Sequence, residues 1–183
     1  MKKIALMLMS AFVLNASMAQ KMDSPVEVGG APMYATKNII ENAVNSADHT
    51  TLVAAVKAAG LVETLQSAGP FTVFAPTNAA FAKLPKGTVE SLVKPENKAT
   101  LTKILTYHVV AGKWDAKAIA KLIKDGNGSA DLKTVSGGIL KASIKAGKLI
   151  LTDEKGGVST VTIKNVYQSN GVIHVVDTVV LPS

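Results

Sequence analysis

The amino-acid sequence predicts an α+β domain in which helices come first and strands follow. Three observations carry that prediction. Between residues 48 and 126 apolar side chains recur at helical spacing, opened by capping residues and stopped by glycines. From Leu140 the period changes to two, with Leu140, Ala142, Ile144 and Ala146 alternating with Lys141, Ser143 and Lys145. The later segments are separated by tight-turn signals at Gly147, Gly156-Gly157 and Ser169-Asn170-Gly171. Short strands joined this way favour an antiparallel sheet, either sandwich or barrel-like.

The chain begins outside that domain. Lys2 and Lys3 precede an 11-residue run from Ile4 to Leu14 broken only by Ser10, and small residues then stand at Ser17 and Ala19. This is the pattern of a secretory signal peptide over residues 1–19, cleaved after Ala19. The apolar run is too short for a bilayer, which needs about 20 residues. Residues 20–33 hold two prolines and a Gly-Gly pair without periodicity, and read as a flexible linker. The folded domain is expected over 34–183, in a chain that is secreted or periplasmic.

Each later element has a local reason. Asp48 or Thr50 can cap a helix in which Leu52, Val53 and Val56 share a face, and Gly60 suits its end. Leu61, Val62 and Leu65 begin a short helix stopped by Gly69-Pro70. A buried strand, Phe71 to Ala75, closes at Pro76, and Thr77 or Asn78 caps the turn of helix that follows. Thr88 opens another helix with Val89, Leu92 and Val93. Leu101, Ile104, Leu105 and His108 recur at i, i+3, i+4 and i+7. Asp115 caps a last helix with Ile119, Leu122 and Ile123 inward and lysines outward, ended by Gly126. The strands then run through Leu140–Ala146, Lys148–Thr152, Val158–Ile163, Val166-Tyr167 and Val172–Leu181.

Composition excludes several function classes. The chain has no cysteine, which removes disulfides, thiol nucleophiles and cysteine-ligated metals. All 20 of its basic residues are lysine, against 13 acids, so no arginine is present to read phosphates or bases bidentately. Aromatic residues make up only 4%, thin for base stacking. A nucleic-acid partner is not expected. His49, His108 and His174 stand at no metal-ligand spacing, and His174 and Asp177, three apart on a strand, face opposite sides. No catalytic motif occurs, so neither an enzyme nor a bound cofactor is expected.

Three blocks of sequence resemble a known family. Ala58-Ala59-Gly60-Leu61 with Gly69 to Phe81 is similar to the first signature of the fasciclin domain. Tyr107-His108-Val109-Val110-Ala111-Gly112-Lys113 resembles its central tyrosine–histidine motif. Asn170 to Asp177, with Leu181-Pro182, resembles its closing signature. They stand in family order and span Lys37 to Pro182. The resemblance implies a wedge-shaped β-sandwich with helices packed at one side. It also implies a non-enzymatic secreted module for cell adhesion or extracellular interaction, in matrix or at a surface. The alternative it implies is a carrier of an apolar small molecule such as a carotenoid. The integrin-contact sequences of animal members have no clear match here.

The residues of these blocks have a structural reading. Tyr107 and His108 continue an apolar stripe, which favours a buried pair with satisfied polar ends over a partner contact. Thr77 and Asn78 are helix caps first, and Asn170, Gly171, His174 and Asp177 belong to the closing motif with the same structural reading. The candidate partner contacts lie elsewhere. Trp114 is the only tryptophan, and tryptophan is enriched where partners meet. Six lysines from Lys133 to Lys164 face only Asp153 and Glu154, and among them Lys141, Lys145, Lys148 and Lys164 are expected on an outward face. Such a face either blocks edge aggregation or attracts an anionic polysaccharide, matrix or surface protein.

Overall fold

The structure, a computed structural model, describes residues 24–183, so the expected signal peptide lies outside the described residues. The order is β1 (Val26–Val28), β2 (Ala31–Met33), α1 (Ile39–Ala43), α2 (Thr50–Ala59), α3 (Val62–Gln66) and β3 (Phe71–Pro76). Then come α4 (Asn78–Ala82), α5 (Thr88–Leu92), α6 (Lys98–Tyr107), β4 (Val109–Ala111) and α7 (Ala116–Asp125). The chain ends in β5 (Ser129–Lys133), β6 (Ile139–Lys145), β7 (Lys148–Thr152), β8 (Val158–Gln168) and β9 (Gly171–Val176). Short 3-10 turns at Ala47–His49 and Pro95–Asn97 lead into α2 and α6.

Helices followed by strands make the α+β class a finding. Seven strands, in the order β4-β3-β9-β8-β7-β6-β5, form one sheet. A bridge between Val110 and Thr134 brings its two edges together, so the sheet is mostly closed and barrel-like. One pairing departs from the antiparallel expectation. β3 and β9 run parallel over six residues from Phe71↔Gly171 to Pro76↔Val176. Both are mostly apolar and buried, interrupted only by Thr72 and His174, the pattern of strands covered on both faces, and such runs carry no sign of their partner's direction.

These two strands form the wall between two cores. Val73, Ala75, Ile173 and Val175 face the helices, where they meet Ile40, Leu52, Val56, Leu65, Leu101 and Leu105. Phe74 and Val176 point the other way, into a barrel core with Ile119, Leu132, Leu140, Leu151 and Val161. The period-2 geometry of a strand lets one run serve both cores.

The expected linker is corrected in part. Within residues 20–33, β1 and β2 form an antiparallel hairpin, and Val28 and Met33 are buried in the helical core. The Ala47 amide donates to the Gly29 carbonyl at 3.1 Å, tying the hairpin to the turn before α2. A three-residue strand is too short to show its period, so a hairpin held by tertiary burial reads as linker in sequence.

Candidate functional site

Tyr107 closes α6 and His108 is its C-cap, which delivers both rings to the seam between helices and sheet. Tyr107 is fully buried. Its Oη donates to the Ile139 carbonyl at 2.6 Å and accepts from the Glu154 amide at 3.2 Å. Burial, opposed by the Glu154 amide, pushes this phenol up to about 12. Gly138 makes room for the ring, because a Cβ there would sit 2.9 Å from Tyr107 Cε2. His108 accepts the Val180 amide at Nε2, 3.2 Å away, so its proton sits on Nδ1 and is donated to the Ile104 carbonyl at 2.8 Å. Burial holds His108 neutral, lowering it to about 4.

Two acids absent from the expected site complete this seam. Asp153 accepts the Gly157 and Leu181 amides, and Glu154 accepts Ile139 and Ser183, each at 2.6–2.9 Å. The Ile139 and Ser183 amides hold the Glu154 carboxyl down at about 2. Together with His108 they fasten the C-terminal residues 180–183 against β6 and the β7–β8 turn. The sequence signal that could have found them is the turn Asp153-Glu154-Lys155-Gly156-Gly157 immediately after an apolar strand.

The closing motif is equally enclosed. Asn170 is buried; its Oδ1 accepts the Ile39 amide at 3.1 Å and its Nδ2 donates to the Leu65 and Ser67 carbonyls. It thereby joins the β8–β9 turn to α1 and α3. A Cβ on Gly171 would lie 2.0 Å from the Phe71 carbonyl oxygen, so only glycine lets β9 approach β3 here. His174 stacks on Phe74 at 5.6 Å, accepts the Asn165 amide at Nδ1 and donates from Nε2 to the Trp114 carbonyl at 2.9 Å. Burial lowers its pKa. Asp177 lies just past β9, where it accepts the Thr160 amide at 2.8 Å, and it sits 3.9 Å from Lys83.

Thr77 and Asn78 divide two capping tasks between them. Thr77 Oγ1 accepts the Ala80 amide and caps α4. Asn78 instead reaches across to α2, accepting the Thr51 amide at 3.0 Å and donating to the Ala47 carbonyl at 2.8 Å. Neither Asp48 nor Thr50 caps α2 with its side chain; the Thr51 amide in its first turn is served from a neighbouring element.

Trp114 lies in the loop between β4 and α7. Its backbone amide donates to Thr72 Oγ1, its indole Nε1 donates to the Ala111 carbonyl at 2.9 Å, and its half-buried ring packs on the barrel core. Its one polar atom is thus used internally. The lysines are arranged differently. Lys141, Lys145 and Lys148 are exposed on the outward face of β6–β7, where Lys141 stands opposite Asp131 and Lys145 directly opposite Lys148. The turn between the last two places Ala146 at φ 49° and Gly147 at φ 75°. Lys164 is separate: β7 pairs with β8 only through Val158–Thr160, and Lys164 falls beyond that on the irregular part of β8. The ion pairs among the described residues, Lys83–Asp177 and Lys121–Asp125, include none of these four lysines. No group of three His, Cys, Asp or Glu among the described residues could hold a metal ion.

A sequence model of the fasciclin domain matches residues 47–182. The chain belongs to the fasciclin domain family. It is 49% identical over 155 residues to protein sll1483 of Synechocystis sp., covering 85% of this chain and 79% of that protein. It is 40% identical over 122 residues to the cell surface glycolipoprotein MPB83 of Mycobacterium bovis, covering 67% of this chain and 48% of that one. In three dimensions it resembles a fasciclin domain pair from the insect cell adhesion molecule Fasciclin I, with a TM-score of 0.71 at 18% identity over 79% of this chain and 51% of that one. That likeness establishes the fasciclin fold. No helix among the described residues is long and apolar enough to cross a membrane.

Proposed function

We propose that this fasciclin-domain chain is an exported, non-enzymatic interaction module that meets an anionic polysaccharide, matrix component or surface protein through the outward face of β6–β7. One observation carries the reading. The polar groups of the family motifs are engaged within the fold, whereas Lys145 and Lys148 oppose each other in the open with no acid between them. Like charges directly opposite on a hairpin are destabilising, and an anion placed between them relieves that repulsion. The surface setting of one relative and the adhesion role named for another agree with a module of this kind.

Two measurements test the proposal. Mass spectrometry of the exported protein should find a chain starting at Gln20. Binding of the mature protein to native cell-envelope polysaccharide should weaken steeply with salt, since exposed charges are screened within about 8 Å at physiological ionic strength. Lys141, Lys145 and Lys148 changed together to glutamine should abolish that binding, whereas Trp114→Ala would remove it at every salt concentration if the ring were the anchor. Binding untouched by both sets of changes would place the contact elsewhere.

A further inference from the structure

Residues 180–183 follow the last strand and belong to no ladder. In Val180-Leu181-Pro182-Ser183 the proline has no N–H, so three backbone amides need acceptors. Each is taken by an ionisable side chain. Val180 donates to His108 Nε2 at 3.2 Å, Leu181 to Asp153 Oδ2 at 2.9 Å and Ser183 to Glu154 Oε2 at 2.9 Å. None of the three donates to a backbone carbonyl. The residues just before are held differently. The Asp177 amide donates to the Thr160 carbonyl at 3.1 Å, and Ser159 Oγ donates to the Thr178 carbonyl at 2.7 Å. Neither of those bonds uses an ionisable side chain, so acid leaves 177 and 178 anchored to β8.

Acid acts on all three acceptors in the same direction. His108 accepts at Nε2 and donates from Nδ1 to the Ile104 carbonyl, so a second proton can go only on Nε2. There the new N–H would face the Val180 N–H, two donors 3.2 Å apart. Protonation of Asp153 and Glu154 removes the charge that strengthens their bonds to Leu181 and Ser183. His108, lowered to about 4, changes before Glu154, held at about 2. The other histidines play no part here: His49 leaves Nε2 without a partner, and His174 is bonded to Asn165 and Trp114.

The remaining charged groups around the segment come from three elements. From α6, Lys103 Nζ donates to the Ser183 carbonyl at 2.7 Å, a bond that acid does not weaken, and Tyr107 faces Glu154 as an uncharged phenol. From the β7–β8 turn, Lys155 shares a surface hollow with Leu181, Pro182 and Ile104. Beyond α4, Lys83 reaches Thr178 Oγ1 at 3.1 Å and lies near Asp177. The Asp153 carboxylate favours a cation on His108 and loses that influence once protonated. Apolar burial opposes detachment, since Val180 lies in the barrel core and Leu181 packs on the helical core. The segment is therefore closed at neutral pH.

We propose that residues 180–183 form an acid-released latch: protonation of His108 detaches the segment from α6 and the β7–β8 turn while the sheet stays folded. The chain pivots at Val179, between the anchored pair 177–178 and the first titratable bond at Val180. Release uncovers Ile104 on α6, buried in the closed state, together with the rim of the barrel core. Such a local opening is a transition distinct from the global loss of stability in acid. The latch does not involve the lysine face, and its failure leaves the interaction reading standing.

The test is amide hydrogen exchange of the mature protein, read by nuclear magnetic resonance from pH 7 to 4 and corrected for the intrinsic exchange rate at each pH. Protection of the Val180 and Leu181 amides should fall at least about tenfold more than that of the β3–β9 ladder. That lies within the roughly 300-fold that a pKa lowered from 6.5 to about 4 permits. His108→Gln keeps an acceptor oxygen that takes no proton in this range, and should hold Val180 protected down to pH 4. Asp153→Asn with Glu154→Gln removes both charges, and should loosen Leu181 and Ser183 already at pH 7 with the ladder unchanged. If one variant does not fold, the other and the native contrast between segment and ladder decide. Parallel loss of protection in segment and ladder, an undiminished loss in a folded His108→Gln, or an unchanged segment in the folded double variant would each overturn the proposal.

Discussion

The seam around Tyr107 and His108 and the outward face of β6–β7 treat their polar groups in opposite ways. At the seam, two rings, two carboxylates and the C-terminal amides are paired within the fold. On the outward face, Lys145 and Lys148 stand in water with like charge opposed. A buried polar group is costly unless partnered, so the seam's hydrogen bonds serve the native state first. An exposed cation costs the fold little and remains available to a partner. Sequence signatures alone therefore do not locate contact sites: the most recognisable motif of this family is enclosed in this chain.

The comparison breaks most sharply if a motif residue can be removed cheaply. Asn170→Ala orphans the Ile39 amide and the Leu65 and Ser67 carbonyls together, and should cost about 4 kcal/mol in urea unfolding. A loss below about 1 kcal/mol would show that the closing motif is not needed to hold α1 and α3 to the sheet. His108→Ala should cost about 3 kcal/mol, through lost packing and an unpaired Val180 amide.

The same histidine gives the seam a pH dependence. Its pKa of about 4 in the fold lies below its ordinary 6.5, so the unfolded chain binds more protons between those values. Its contribution is complete above pH 6.5 and is lost as pH falls toward 4, about 3 kcal/mol for this group. His49 and His174 are lowered as well and act in the same sense. Glu154, held at about 2, extends the loss below pH 4.5 as its carboxylate protonates. Equilibrium unfolding across this range should show the decline, and His108→Gln should flatten the part between pH 6.5 and 4. An equally steep decline in that variant would remove His108 from the account.

Smaller effects sharpen the contrast. Tyr107→Phe keeps the ring and deletes the hydroxyl that links Ile139 to Glu154, and should lower stability by about 2 kcal/mol by thermal or chemical denaturation. At the other end of the scale, Lys145→Gln with Lys148→Gln should change stability by less than about 0.5 kcal/mol, in the stabilising direction, because like-charge opposition is removed. Destabilisation by more than about 1 kcal/mol would mean that this face is part of the fold's support.

Much of the architecture was legible in the chain because its signals are local. Gly60 ends α2 at φ 73°, Thr77 caps α4, Asp115 caps α7, and the β6 alternation places Lys141 and Lys145 outward. The missed features are long-range. Asn78 serves a helix 27 residues away, a pairing that no local pattern records. Asp153 and Glu154 read as charges beside lysines, yet they hold amides at the C-terminal end. Lys164 was grouped with three lysines whose strand pairing it does not share.

The sequence by itself determined the family, the order of helices and strands, the end signals of most helices and the absence of thiol chemistry. The family follows from the three motif blocks it resembles, and the rest from periodicity, capping and composition, which act over a few residues. Only the tertiary structure decided that β3 and β9 pair in parallel, that Val28 and Met33 of the β1–β2 hairpin are buried in the core, and which histidine nitrogen is left without a partner. Each of these depends on what an element packs against across the chain. Burial and hydrogen-bond satisfaction are properties of that packing, not of any residue's neighbours in sequence.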